Sequence, residues 1–197
     1  MSKILEVIVI GILFGLLTHI ANKYLPPDLR FLVETKLIWL IPAFLVAFNL
    51  PARCKKGDTI FFATATIFVT GFTYYTSETV KNHGYWNLST DLYNLLRDGL
   101  IFGIATGFIA HLSRSATNQF IRYGSASLLP AIFTGDGINE IFQNLQHFSP
   151  TPEIITKSLG GIVLYFLIAG RHRFSPKSLL SFSILAIIAA LIYLYML

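Results

Sequence analysis

Two acidic residues, Asp136 and Glu140, stand four positions apart inside an otherwise apolar stretch of the chain. On a continuous helix this spacing places both carboxylates on one face. Counted from Arg122, Asp136 lies roughly 21 Å along such a helix, at about 1.5 Å per residue. A carboxylate at that depth in a membrane is costly unless it faces the protein interior or water. It is therefore a candidate for binding a cation or exchanging a proton.

The triplet Gly135-Asp136-Gly137 supports a second interpretation of the same stretch. Two glycines so close together favour the end of a helix. The helix would then end near Gly135, and both carboxylates would lie in a loop outside the membrane. The sequence leaves these two interpretations open.

Further polar and aromatic residues fall at the same predicted depth on other helices. We predict a polar pocket that opens to the outside, with Arg97 as the ion-pair partner of Asp136. His19 is the candidate proton carrier, because histidine changes charge near neutral pH. A lone histidine at a helix end is also typical of the membrane interface. The predicted binding residues are Asp136, Glu140, His19, Arg97, Trp39, Tyr74 and Tyr75.

Templates for catalysis and metal binding are missing from the sequence. It contains no His-x-x-x-His, no Glu-x-x-His, no Cys/His ligand spacing and no Gly-x-Ser-x-Gly elbow. These spacings bring metal ligands or a nucleophile together locally. We therefore predict no catalytic residues, no metal and no cofactor, and an enzyme is the less favoured class.

The composition indicates a membrane protein. Hydrophobic residues make up 54% of the 197 positions and charged residues 13%, about half the charged share of soluble domains. Cys54 is the only cysteine, so a disulfide framework is excluded. Seven apolar runs approach or reach the length that crosses a bilayer. We predict one all-α transmembrane domain over residues 1–197, with spans at 4–24, 36–51, 59–76, 95–113, 119–143, 153–170 and 177–196.

The distribution of Lys and Arg predicts the orientation. With seven spans, one side carries nine basic residues against two acidic ones, and the other carries six against eight. The basic side is expected in the cytoplasm, which puts the N-terminus inside and the C-terminus outside the cytoplasmic membrane. The partners are then the lipid bilayer and a small-molecule or ion substrate, and a nucleic acid is not needed to explain the charge. The nine residues are Lys3, Arg53, Lys55, Lys56, Arg114, Arg122, Arg171, Arg173 and Lys177.

Two stretches 88 positions apart are similar, one beginning at Gly11 and the other at Gly99. The same offset aligns Pro42 with Pro130. Three spans per copy would invert the second copy, as in many secondary transporters. The sequence thus predicts inverted repeats over about 4–76 and 95–170 plus a seventh helix. Chance similarity between apolar segments is the alternative.

Glycines at helical spacing predict close helix packing. Small residues four apart let two helix backbones approach each other in a membrane. The predicted packing residues are Gly11 and Gly15 on span one, and Gly99, Gly103 and Gly107 on span four. The first interpretation is tight packing alone. The second and more specific interpretation is that spans one and four cross near a pseudo-two-fold axis.

Pro42 and Pro130 are predicted to lie inside spans two and five. A proline inside a helix removes one hydrogen bond and frees a carbonyl. Such a carbonyl can bind a cation, as in discontinuous transporter helices. A simple kink, with its backbone groups satisfied by neighbouring helices, is the alternative.

The chain resembles a bacterial family of small polytopic membrane proteins known only as a domain of unknown function. The similarity runs from about Gly11 to Gly170, through Trp39, Tyr74-Tyr75 and Phe102-Gly103 to the acid of span five. Asp136-Gly137-Ile138 stands where the family has a glutamate followed by Gly-Leu. The resemblance implies an inner-membrane protein with a buried acid in span five, and it implies no activity.

Three functional hypotheses follow from these observations. The first is a small permease for a polar or cationic solute, with a site between the two three-helix repeats. The second is a membrane-embedded enzyme acting on lipid headgroups through Asp136, Glu140 or His19. The third is a non-catalytic scaffold or partner subunit that uses its glycines to bind other helices.

Overall fold

The computed structural model describes residues 3–26, 37–51, 54–83, 88–143, 152–168 and 175–196. All of the regular structure in these ranges is helical, which confirms the predicted all-α fold. A short 3₁₀ helix, η1, covers Leu37–Trp39. The α-helices are α1 (Lys3–Tyr24), α2 (Leu40–Phe48), α3 (Lys56–His83), α4 (Leu88–Ser115), α5 (Gln119–Gln143), α6 (Pro152–Ile168) and α7 (Pro176–Met196).

The helices follow the predicted apolar runs in order, and their lengths differ from the prediction at α2 and α3. The α-helical part of α2 has 9 residues, preceded by η1, while α3 extends to 28 residues. Pro42 lies in the first turn of α2, where amide groups have no intrahelical acceptor in any case. The predicted interior proline of span two is therefore wrong. Pro130 does lie inside α5.

The chain forms two compact units, Met1–His111 and Leu112–Leu197. Their boundary falls within α4, whereas the predicted repeats would divide the chain between α3 and α4. Three glycines of α4 pack on α3, which explains why most of α4 belongs to the first unit. The inverted repeat stays a prediction.

In the first unit, α3 is the helix on which the glycines pack. A Cβ added at Gly11 or Gly15 would lie 2.6 Å from α3 atoms. A Cβ at Gly103 would lie 2.6 Å from the Cα of Thr64, and one at Gly107 would lie 2.5 Å from the Cα of Ile60. The nearest atoms to both sets of glycines thus belong to α3. The close packing of these glycines is therefore on α3, and the crossing of spans one and four near a pseudo-two-fold axis stays a prediction.

Small polar residues fill the buried face of α3. Thr59, Thr66 and Thr70 are fully buried beside Ala63 and Ile67. The hydroxyls of Thr66 and Thr70 donate to carbonyls one turn earlier, at 2.7 and 2.8 Å. These hydroxyls need no partner on another helix, so α3 can be packed closely on several sides.

In the second unit, α5 packs on α6 and α7. Gly135 lies against Ala186 and Ala189 of α7. On α6, Tyr165 stacks on Phe182 of α7 with ring centroids 4.6 Å apart, and its hydroxyl lies 2.8 Å from Ser178 Oγ. The three helices therefore form one core of small and aromatic residues.

Large apolar side chains cover the outer faces of the helices. On α1 the buried residues are only Val7, Gly11, Gly15 and Thr18, a single stripe. The remaining face of α1 exposes leucine, isoleucine and valine, and the outer face of α7 exposes leucine and isoleucine. Among the described residues, three segments are long and apolar enough to cross a membrane, and Ile154–Ile168 is apolar but shorter. The three are Lys3–Tyr24, Tyr93–Ser115 and Pro176–Tyr195. Such helices fit a membrane protein.

Candidate functional site

The acidic pair lies on a continuous helix. Helix α5 runs through Gly135 and Gly137 to Gln143, so the alternative in which it ends near Gly135 is wrong. The side chains of Asp136 and Glu140 are 21% and 22% exposed. Both carboxylates therefore project from one face of α5 and are largely covered by the neighbouring helices.

A lysine of the next helix joins the two carboxylates. Lys157 of α6 places its Nζ 3.0 Å from Asp136 Oδ2, and the same ammonium donates to Glu140 Oε1. The Lys157 residue is only 7% exposed, which is rare for a lysine unless it is paired. We call these three residues the charge cluster.

The charge cluster joins two acidic side chains to one basic side chain. Two carboxylates and one ammonium leave a net charge of −1 when all three are ionised. Each carboxylate offers about four lone-pair sites, whereas an ammonium has three donors.

Two further buried polar groups occupy nearby positions on α5 and α6. Asn139, on the same turn of α5, is 3% exposed, and its Oδ1 has no hydrogen-bond partner within the described residues. Ser158 follows Lys157 on α6, and its buried Oγ is likewise without a partner there. On α7, the half-buried Tyr193 interacts electrostatically with Asp136 and Lys157. The site thus draws on all three helices of its unit.

Sequence reasoning missed Lys157, although a simple count could have found it. Asp136 lies seven residues before the end of α5 at Gln143, and Lys157 lies five residues after the start of α6 at Pro152. Two consecutive antiparallel helices bring positions at equal distance from their connection to the same height. A partner of Asp136 is therefore to be expected on α6.

The other predicted polar residues meet in the first unit. His19 Nδ1 of α1 lies 2.8 Å from Glu78 Oε1 of α3, and each side chain is 18% exposed. The Asn22 amide donates to the Tyr74 hydroxyl at 3.3 Å and to Glu78 Oε1 at 3.5 Å. Spacings of three on α1 and four on α3 put these groups on facing sides of the two helices.

The predicted aromatic residues flank this polar group. Trp39 is 2% exposed and makes edge-on contacts with Tyr74 and Tyr75 at centroid distances of 5.6 and 6.0 Å. Edge-to-face rings at such distances attract each other. The structure thus brings Trp39, Tyr74, Tyr75 and His19 together, with Trp39 in the core.

Arg97 is exposed on α4, and its guanidinium lies 5.9 Å from the centre of the Tyr93 ring. Asp136 has Lys157 as a partner inside its own unit. The predicted pairing of Arg97 with Asp136, and a site between the two halves of the chain, stay predictions.

Three grooves lined by described residues are apolar. The two in the first unit have volumes of about 410 and 500 Å³, and Phe68 of α3 contributes to both. A smaller one, about 210 Å³, lies in the second unit between α5 and α7. Their linings fit hydrocarbon, whereas the charge cluster fits a charged ligand.

The fold and the charge cluster define an all-α protein whose apolar helices fit a membrane protein and whose second unit carries a largely buried ionisable group. The chain belongs to a family of unknown function, DUF6518, which matches residues 1–197. This agrees with the resemblance found in the sequence. No curated protein and no solved structure matches the chain.

Proposed function

We propose that the chain is an integral protein of the cytoplasmic membrane with seven spans, of which the second combines η1, the 9-residue α2 and the adjoining residues. The order of the helices, the apolar outer faces of α1 and α7 and the three segments of spanning length support this proposal. The excess of Lys and Arg on one side gives a cytoplasmic N-terminus and an external C-terminus. Under this topology Cys54 lies on the cytoplasmic side and Gln143 on the outer side.

Labelling of single cysteines tests this topology. A membrane-impermeant maleimide is expected to label Cys54 in inside-out vesicles and to leave it unlabelled in intact cells or spheroplasts. The Cys54→Ser, Gln143→Cys variant should show the opposite pattern, since Gln143 is exposed at the end of α5. Labelling of both positions from the same side would contradict the proposed topology.

We further propose that the protein carries a small cationic solute or a proton across the membrane. The observation that carries this proposal is the charge cluster, in which two carboxylates share one buried lysine. Ionisable side chains inside a membrane are costly to bury. Where they occur they mark ion pathways and proton relays. Two acidic side chains against one basic side chain favour a cation over an anion as the ligand.

Lys157 acts as the internal counter-ion in this proposal. When the site is empty, its ammonium holds Asp136 and Glu140. An entering cation or proton satisfies one carboxylate, and the ammonium then remains with the other. In the first unit His19, whose Nδ1 lies 2.8 Å from Glu78 Oε1, is the proposed proton carrier.

Flux measurements in proteoliposomes test the transport proposal. A gradient of Na⁺, Li⁺ or K⁺ is applied, and an internal dye reports the pH. Asp136→Asn is expected to lower the initial rate by about tenfold or more, because the membrane-embedded charge that attracts the cation is lost. His19→Gln should leave the cation dependence of the rate unchanged and lower the proton flux that the dye reports.

Glu6→Gln is the matched control for this experiment. Glu6 is also 22% exposed and pairs with a lysine, Lys3, at 2.7 Å, but it lies in the first turn of α1. Its rate should equal that of the unmodified protein. The transport proposal fails if liposomes with protein show no flux above empty liposomes, or if Asp136→Asn keeps the full rate.

A non-transporting scaffold is the second candidate function. Close contacts between α5 and α6 favour it, because Gly137 lies against Ser158, and Gly161 lies against Thr134. The charge cluster would then only fasten α5 to α6. Absence of flux together with loss of a partner protein on weakening this contact would support the scaffold.

A further inference from the structure

The larger groove of the first unit lies between α3 and α4 and has a volume of about 500 Å³. We infer that this α3–α4 groove binds an anionic phospholipid of the cytoplasmic leaflet, with one acyl chain in the groove and the headgroup at Lys55 and Lys56. The inference rests on the proposed membrane topology and does not depend on the transport proposal. The lining includes Gly57, Phe61, Ala65 and Phe68 of α3 and Leu100 and Ile104 of α4.

The length of the α3–α4 groove matches the thickness of one leaflet. Its lining on α3 runs from Gly57 to Phe68, which corresponds to about 16 Å of helix at about 1.5 Å per residue. Half of a hydrocarbon core about 30 Å thick is about 15 Å. In the proposed topology α3 begins at the cytoplasmic side, so the groove would extend from that surface to about the middle of the bilayer.

The width of the groove fits a single hydrocarbon chain. A volume of about 500 Å³ spread over about 16 Å gives a cross-section of roughly 30 Å². A helix about 10 Å across has a cross-section of roughly 80 Å² and is too wide to lie within it. Phe61 and Ile104, which border the groove, are 62% and 48% exposed. An acyl chain lying along them would make van der Waals contacts over the whole length of the groove.

A positive charge lies at the cytoplasmic end of the groove. Lys56 directly precedes Gly57 of the lining, and its Nζ lies 4.5 Å from the centre of the Phe108 ring of α4. Phe108 lies about one helical turn beyond Ile104, which lines the groove on α4. The ammonium therefore reaches across from α3 to α4 where the groove ends. At this place it would attract the phosphate of a lipid whose chain occupies the groove.

The start of α3 adds to this positive charge. Lys55 is exposed next to Lys56, and the first turn of a helix carries the positive end of its dipole. Asp58 is the acidic residue of this turn, and its Oδ2 accepts a hydrogen bond from the backbone amide of Lys55 at 2.7 Å. Within this turn, two lysines and the helix dipole stand against one carboxylate. This arrangement favours an anionic headgroup over a zwitterionic one.

Native mass spectrometry of the protein in detergent tests this inference. Phosphatidylglycerol and phosphatidylcholine with identical acyl chains are added in turn, and the lipid-bound fraction is measured against lipid concentration. Phosphatidylglycerol is expected to bind about tenfold more tightly, because only its headgroup has a net negative charge. The double variant Lys55→Gln, Lys56→Gln should bind both lipids with the affinity of phosphatidylcholine. Lys3→Gln, at the start of α1, is the control and should keep the preference.

Gly57→Phe tests where the acyl chain lies. A Cβ at Gly57 meets nothing within 4 Å, so the new ring is expected to leave the fold intact and to fill the end of the groove. The affinity for both lipids should fall by about tenfold or more, because contacts with the chain are lost. Gly160→Phe is the matched control, since a Cβ at Gly160 of α6 also meets nothing within 4 Å. It should leave both affinities unchanged.

Three results would overturn the inference. The first is equal affinity for the two lipids, and the second is an unchanged preference in the double lysine variant. The third is the same lipid affinity, or a protein dimer that only Gly57→Phe dissociates, when Gly57→Phe is compared with Gly160→Phe. Binding in detergent requires neither sidedness nor flux. A preference for phosphatidylglycerol would therefore stand even if cysteine labelling or the flux measurement contradicted the proposed function.

Discussion

Replacing Lys157 with methionine is expected to lower the stability of the α5–α7 unit by about 3–5 kcal/mol, the usual cost of breaking a buried ion pair from one side. Both carboxylates of the charge cluster lose their cation, and the two negative charges then repel each other across one turn of α5. Reversible unfolding with SDS in mixed micelles measures the loss. The effect is large because Lys157 is 7% exposed and water does not replace it.

Neutralising the whole cluster should restore the fold. The triple variant Asp136→Asn, Glu140→Gln, Lys157→Met contains no buried charge at this place, and neutral replacements of buried ion pairs are often as stable as the original. Lys3→Met is the control, because the Lys3–Glu6 pair is more exposed and is expected to contribute about 0–1 kcal/mol. A Lys157→Met variant as stable as the unmodified protein would mean that the lysine does not hold the two acids.

Replacing Gly161 with alanine is expected to cost about 1–3 kcal/mol, as overpacking of a close contact does. The new Cβ would overlap Thr134 Oγ1 and would lie 2.7 Å from the Pro130 carbonyl oxygen. That carbonyl accepts a hydrogen bond from the Thr134 hydroxyl at 3.1 Å, so it cannot turn away freely. Helices α5 and α6 would have to separate, and the charge cluster on the same two helices would loosen.

Gly160 provides the matched control one position earlier on α6. A Cβ at Gly160 meets nothing within 4 Å, so Gly160→Ala should leave stability unchanged or raise it by up to about 1 kcal/mol through helix propensity. The same SDS unfolding compares the two variants. Equal stability of Gly160→Ala and Gly161→Ala would contradict the close α5–α6 contact.

The helices could be predicted from the sequence because each apolar run that approaches spanning length corresponds to one helix. The exceptions have local causes. Helix α2 is short because η1 precedes it, and α3 continues beyond its apolar run to His83 through polar residues that propensity allows. Pro42 was placed too deep in its helix because an apolar run does not show where the first turn begins.

Glycine spacing predicted which face of a helix packs closely, but not its neighbour. The faces were identified from Gly11 and Gly15 on α1 and from Gly103 and Gly107 on α4, yet both contact α3. A missing side chain is compatible with any helix that brings a small or rotatable group to the same height. Here Thr64, Val69 and Thr73 of α3 do so, and nothing in their sequence distinguishes them.

The acidic pair of the candidate site could be predicted from the sequence, but its partner was not predicted. The spacing of Asp136 and Glu140 indicated a shared face, and α5 keeps it. Their partner Lys157 lies inside the predicted span 153–170 and was counted only among the charges that predict the orientation. The contact of His19 with Glu78 depends on how α1 packs on α3. No local sequence pattern predicts that packing.

Cation flux through the neutral triple variant is the most direct test of the account. The variant is expected to fold as the unmodified protein does, because no buried charge is left uncompensated, and to show no flux above that of empty liposomes, because its site no longer attracts a cation. Glu6→Gln, measured in parallel, should transport at the full rate. A folded triple variant that transports as fast as the unmodified protein would show that Asp136, Glu140 and Lys157 do not form the transport site.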